Sequence, residues 1–337
     1  MEARIIQIYQ EFQLNNITIT ADAIKHELLG TETKEHKISM LFEYHNEKYR
    51  KTLAWGTLKN YFTTQKYLMN FVKVHYGKDD FFLQDINYRF LNEFELYLVN
   101  YEPLDHHKPL ANNGIMKHLE RFRKVVNLAL RMEWMVKDPF SKFSLRYQKV
   151  ERICLTPSEL QRIEEKQLDI DRLKYIRDLF IFSCYTGLSY IDTMNLMHND
   201  IVVGLDGEYW ISISRQKTQQ KSKVPLLPQA LEIIRLYQDK LRAYSKGKIF
   251  PLISNQKLNA YLKEISLICK VDKNLTFHLA RHTFATIVTL LNGVPMETVS
   301  KMLGHASIRT TQIYAKVVEK KVSDDMKKLR RKMNKKK

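Results

Sequence analysis

Cysteine is scarce in this chain of 337 residues: Cys154, Cys184 and Cys269 form an odd set with neither CxxC nor Cys/His spacing. That excludes a disulfide framework, gives no sign of a metal site, and fits a reducing, cytoplasmic setting. Glycine (10) and proline (8) are too few for collagen or linker repeats, while 44% hydrophobic residues with 11% aromatics are too many for a disordered chain. Long apolar runs are missing too. The start, MEARIIQIYQEFQLNN, lacks the stretch of a signal peptide, and the most apolar window, 179–188, is broken by Ser183 and Thr186. At about half a bilayer-spanning length it reads as a buried helix, so no membrane role is expected. Acidic residues are the last shortage: 37 Asp+Glu against 55 Lys+Arg leave a formal net charge of +18, although charged residues make up an ordinary 27%. Such a sign bias calls for a polyanionic partner, with nucleic acid ahead of an anionic membrane surface.

What is present is mostly helical periodicity. Residues 1–29 read as helical with a second start capped at Thr20, and Gly30 stops the pattern. From Ile38, apolar residues recur at helical spacing through Leu41 and Phe42, then Leu58 to Val72, Phe90 to Leu98, and Ile115 to Leu130, which predicts a four-helix bundle. The stretch 138–152 holds Pro139, several basic residues and no periodicity, and reads as an interdomain linker. Thr156-Pro157-Ser158-Glu159 then carries a capping-box signature opening a second helical domain. Inside it, Tyr209, Ile211 and Ile213 alternate with Trp210, Ser212 and Ser214, and 222–227 follows a polar turn, which predicts a β-hairpin. Helices resume at 228–243, 256–270, 283–292 and 297–303, and 316–337 holds eleven Lys/Arg against three acids, as a helix running into a basic tail.

Four local patterns carry possible chemistry, and each has a plain alternative. His278 and Arg281 lie three apart in FHLARHT, on one face if helical, where both reach one anionic group. HxxR alone is common by accident. Leu303-Gly304-His305 is a helix ending at glycine, ordinarily just a C-cap. Tyr314 is one of 18 tyrosines, and Lys217 lies among Arg215, Lys221 and Lys223 in a hairpin turn that a solvated basic loop explains.

Order and distance together change the weighing. A lysine in a hairpin, HxxR opening a helix, LGH, and a tyrosine nine residues on in TTQIYA resemble the catalytic half of the tyrosine recombinases. Thr186-Gly187-Leu188 resembles that family's first motif and Asp192 fills its usual acidic, supporting position; the nearest likeness is to integrases of conjugative transposons and related mobile elements. The resemblance implies a mainly α fold: an N-terminal helical or coupler segment (1–36), a SAM-like core-binding bundle (37–147), a DNA breaking-rejoining catalytic domain with a small β-hairpin or sheet (148–320), and a C-terminal helix with a basic tail (321–337). It implies site-specific cutting and rejoining of DNA through a 3′-phosphotyrosyl link, for integration or excision of a mobile element. Tyr314 is then the nucleophile, Arg281, His278 and His305 meet the charge on the phosphate, and Lys217 protonates the leaving 5′ oxygen. No cofactor or metal is expected. The expected partner is double-stranded DNA at attachment sites, bound by a homotetramer, with room for accessory DNA-bending or directionality factors in a bacterial, nucleoid-associated setting. Lys117, Arg121, Arg123 and Lys124 in the bundle, and Arg215, Lys221 and Lys223 around the hairpin, are the expected phosphate contacts, unless they are merely solvated basic faces.

One position departs from the family. After Thr186-Gly187-Leu188 most members carry arginine, and here Ser189 stands. A neutral hydroxyl replaces a permanent charge and a bidentate fork. Three outcomes stay open: Arg177 or Arg215 substitutes, the site works with less charge, or the chain is inactive. The last would leave a DNA-binding or architectural protein; a type IB topoisomerase-like enzyme is the other alternative.

Overall fold

Among the described residues, helix-forming signals in the first 150 positions produce six α-helices. The computed structural model describes residues 2–14, 19–28, 36–103, 108–150, 153–238, 247–314 and scattered positions from 323 to 334. The predicted stop at Gly30, the end of the 228–243 helix and most of the basic tail lie outside them. The chain divides into two compact units, 1–149 and 150–337.

In the first unit, α1 (Glu2–Leu14) buries Ile8 and Phe12, and α2 (Ala21–Leu28) starts where the Thr20 hydroxyl accepts from the Ala23 amide at 3.1 Å. The bundle proper is α3 (Ile38–Tyr49), α4 (Trp55–Tyr76), α5 (Tyr88–Val99) and α6 (Asn112–Arg131). Asn87 caps α5, its side-chain oxygen accepting from Phe90 N. The four helices converge on aromatic rings, Phe42, Phe71, Phe90, Phe94 and Phe122, all at most 1% exposed. Each such ring contributes about 1.5–3 kcal/mol by leaving water. Two histidines are also buried here; His118 lies 2.8 Å from the Thr64 hydroxyl and burial pushes it down to about 4, so it is neutral at pH 7.

The second unit opens with α7 (Pro157–Glu165), where the capping box is complete: Glu159 N donates to Thr156 Oγ1 at 3.2 Å and Thr156 N to Glu159 Oε2 at 2.7 Å. Next come α8 (Asp171–Thr186) and α9 (Tyr190–Met194). The 179–188 window is indeed a buried helix: Leu179 to Cys184 are all at most 3% exposed because α8 is the axis on which the later helices pack. A three-stranded antiparallel meander follows, β1 (Ile201–Val203), β2 (Tyr209–Ser214) and β3 (Lys221–Pro225), with Ile211 facing Ile201 on one side and Val224 on the other. The hairpin was legible; β1 was not, because Ile-Val-Val is too short to show alternation. Then come α10 (Pro228–Gln238), α11 (Asn255–Ile268), α12 (Phe277–Thr283), α13 (Met296–Met302) and α14 (Arg309–Gln312). The predicted helix 283–292 is the continuation of α12, but residues Phe284–Thr289 wind as a π-helix, with Thr289 Oγ1 donating to the carbonyls of Phe284 and Ala285. No helix among the described residues is long and apolar enough to cross a membrane.

Candidate active site

Two glycines shape the floor of the site. Gly187, in the TGL motif, has φ +69°, and a Cβ there would lie 2.4 Å from the Phe284 ring. Gly304, in LGH, has φ +59°, and a Cβ would lie 2.7 Å from Arg215 Cγ. A side chain at either place meets both backbone strain and a hard contact. These turns let the carbonyls of Gly187 and Leu303 face a buried guanidinium. Arg281, only 6% exposed, donates to Gly187 O and to Leu303 O, both at 2.6 Å, and through Nη2 to His305 Nε2 at 3.1 Å. Arginine has donors only, so His305 accepts at Nε2 and carries its proton on Nδ1, which donates to Thr311 Oγ1 at 2.8 Å. Burial, then the charges of Arg281 and Arg215, hold His305 at about 4, hence neutral at pH 7. Burial and the charge of Arg215 also pull Arg281 down, to about 9.

A second guanidinium comes from the sheet. Arg215 follows β2 and is 7% exposed; Nε pairs with Asp192 Oδ2 at 2.8 Å and Nη1 donates to Leu303 O at 3.1 Å. Both arginines therefore share the Leu303 carbonyl. Asp192 Oδ2 also accepts from Ser189 Oγ at 2.5 Å, and Oδ1 from Gln216 N at 3.1 Å. Through that carboxylate, Arg215 stands next to the serine where the family pattern has arginine. The other candidate, Arg177, is elsewhere: it is held by Asp178 at 2.8 Å and donates to Lys166 O at 2.7 Å, while Asp178 accepts from Tyr237. Of the two candidates Arg177 is thus the one bound to the adjacent carboxylate on its own helix, while Arg215 bonds the carboxylate that Ser189 also bonds.

Tyr314 lies two residues past α14 and is 3% exposed. Its hydroxyl sits 2.9 Å from Nδ1 of His282, a residue the HxxR reading passed over because it is the neighbour of the arginine and not a motif position. Thr311 was missed as well; it is fully buried, and its carbonyl accepts from Tyr314 N at 3.0 Å. A closed circuit results: Arg281 to His305, His305 to Thr311, Thr311 along the chain to Tyr314, Tyr314 to His282, and His282 along the chain back to Arg281. The pairing of TT with Y and of R with H in the sequence was the available signal.

The other expected residues are placed differently. His278 is on the exposed side of α12, its ring edge-on to His282 with centroids 4.4 Å apart. Lys217 is exposed in the hairpin turn, which closes through Arg215 N to Gln220 O and Gln219 N to Arg215 O. Lys221 and Lys223 on β3, with Lys301, Met302, Trp210 and His305, line a cavity of about 490 Å³ beside the site. On α6, Lys117 pairs with Glu120 and lies over the Tyr147 ring, Arg123 lies over Phe140, Arg121 is half-buried, and Lys124 is exposed. Among the described residues no group of three or more His, Cys, Asp or Glu could hold a metal ion.

A helical bundle ahead of a helical domain with a three-stranded meander is a fold found in solved DNA-recombining enzymes. The protein superimposes on a lambda integrase dimer bound to a COC′ core site (TM-score 0.66, 15% identity, 91% of this chain and 84% of the other). It does so too on the Tn1549 transposon integrase in complex with circular intermediate DNA (TM-score 0.64, 14% identity, 82% and 94%). In sequence it is 26% identical over 200 residues to a tyrosine recombinase of Pseudothermotoga lettingae, covering 58% of this chain and 68% of that one. It is 43% identical over 72 residues to the tyrosine recombinase XerD of Halalkalibacterium halodurans, 21% and 24% of the two chains. The phage integrase SAM-like domain matches residues 37–145 and the phage integrase family matches 154–321. The chain belongs to the phage integrase family of tyrosine recombinases, and is a site-specific DNA recombinase.

Proposed function

We propose that this recombinase binds double-stranded attachment sites and integrates or excises its element with Tyr314 as nucleophile. The phenol oxygen attacks phosphorus, the 3′ end becomes phosphotyrosyl, and the 5′ oxygen leaves with a proton from Lys217 once the hairpin turn closes on the scissile step. Arg281 and Arg215 meet the charge that gathers on the non-bridging oxygens, with His278 and His305 as further donors. On entry of the phosphate the two guanidinium groups give up carbonyl partners for anionic ones, and His305, released by Arg281, takes the other tautomer, with Nε2–H donating to an oxygen and the Thr311 hydroxyl donating to Nδ1. Asp192 fixes Arg215, and Ser189 completes the bonding of Asp192. Lys221 and Lys223 on the sheet, and Lys117, Arg121, Arg123 and Lys124 on α6, hold flanking phosphates. Four copies assemble on paired sites, with accessory DNA-bending or directionality factors setting the direction.

The observation that carries this reading is the pair of buried guanidinium groups sharing the Leu303 carbonyl. It supports an active enzyme over the architectural alternative, whose support was the missing arginine at Ser189. The test is a nicked suicide duplex, taken from sites the protein selects out of a random library, which loses the strand needed for rejoining. Wild type is expected to accumulate covalently on DNA and Tyr314→Phe to give none. A wild type that binds its selected site and never traps would return the architectural reading.

A further inference from the structure

We propose that His282 is the general base for Tyr314, taking the phenolic proton on Nδ1 as the oxygen attacks phosphorus. The inference rests on Tyr314 being the nucleophile. An unperturbed phenol ionises near 10, so at neutral pH well under about 1% is phenolate and a partner must remove the proton. The hydroxyl lies 2.9 Å from His282 Nδ1, within reach of direct transfer, and both residues are almost closed to water, at 6% and 3% exposure.

The neighbouring groups are worse placed to accept. Arg281 and Arg215 have no acceptor atoms. His305 is engaged at both nitrogens, by Arg281 and Thr311, and Asp192 already accepts from Ser189, Arg215 and Gln216. His278, the histidine of the HxxR pattern, stands on the exposed side of the helix with its ring edge-on to that of His282. The backbone of His282 is pinned where the π segment begins: its carbonyl accepts from Thr286 Oγ1 at 2.7 Å. Helix and acceptor are thus set together, one residue from the guanidinium that meets the phosphate.

The step balances. The Tyr314 O–H bond breaks as His282 Nδ1–H forms; the O–P bond forms as P–O5′ breaks; the 5′ oxygen takes its proton from Lys217. On rejoining, the 5′ hydroxyl returns its proton to Lys217 and the imidazolium returns its own to the phenolate. The imidazolium sits beside cations, and its charge is balanced by the phosphate present at that moment.

The experiment uses the full chain in single-turnover trapping on two nicked duplexes, one with the ordinary bridging 5′ oxygen and one with bridging 5′ sulfur, which departs without needing a proton. His282→Asn sets an amide oxygen near the place of Nδ1, so it accepts the phenol's hydrogen bond but takes no proton. It is expected to trap at least about 100-fold more slowly on both duplexes. Lys217→Ala should be slow on oxygen and recover on sulfur. Trapping by His282→Asn within about threefold of wild type overturns the proposal, since hydrogen bonding alone then suffices. Recovery on sulfur overturns it as well, by moving His282 to the leaving-group side. If His282→Asn melts early, His282→Gly with added imidazole takes its place, and imidazole must restore trapping dose by dose; no restoration counts against the base. A wild type that traps on neither duplex sinks the nucleophile reading itself.

Discussion

Arg215 and Ser189 both bond the Asp192 carboxylate, and the proposed function gives Arg215 the work of the arginine that Ser189 replaces. Removing a preorganised donor to a developing oxyanion costs about 10²–10³ in rate. Arg215→Ala is therefore expected to lower single-turnover trapping by about that factor, and Arg215→Lys to recover little, because a point charge replaces a planar fork that reaches Asp192 and Leu303 at once. Adding Ser189→Arg to Arg215→Ala returns the cation to the family's position and should regain at least about tenfold. A double variant no faster than Arg215→Ala alone would show that the two positions do not reach the same oxygens. At this scale the candidate residues were legible as a set, while their roles remain proposals. Lysine, HxxR, LGH and tyrosine stand in a chain order that chance rarely produces. His282 and Thr311 were not legible, because a hydrogen bond between residues 32 apart leaves no periodic trace. The choice between Arg177 and Arg215 also needed coordinates: sequence shows that a cation is near, not which carboxylate already holds it.

Among the elements, the turn after α13 is the most constrained. Its glycine faces the Arg215 stem, and its preceding carbonyl receives both arginines. Gly304→Ala adds a left-handed strain of about 1–2 kcal/mol to an overlap with Arg215. For a unit of this size the unfolding midpoint should drop by roughly 4–8 °C, and trapping should fall further than stability alone explains. A calorimetric scan beside the trapping rate checks both; an unchanged midpoint would mean that the loop can back away. The four bundle helices of the first unit were readable because each buries an apolar stripe at helical spacing, and α7 because its capping box is spelled out in four residues. Neither β1 nor the π segment was. The first is three residues long, and the second depends on threonine hydroxyls bonding to the backbone, which helix periodicity does not report.

For the whole molecule, the excess of 55 basic over 37 acidic residues sets how binding responds to salt. Each phosphate neutralised contributes about −0.9 to the slope of log affinity against log salt. Replacing both Lys221 and Lys223, exposed on β3, with glutamine is expected to flatten that slope by about 2 on a nonspecific duplex. Fluorescence anisotropy across a sodium chloride series measures it, and an unaltered slope would remove the sheet from the DNA-facing surface.

The Leu303 oxygen belongs to a single peptide plane, the one leading into Gly304, and both guanidinium groups lean on it. Tilting that plane takes one bond from both cations in unison, leaving Arg281 on Gly187 O and Arg215 on Asp192. Whatever presses on the LGH turn therefore moves a partner of both arginines at once without touching the tyrosine.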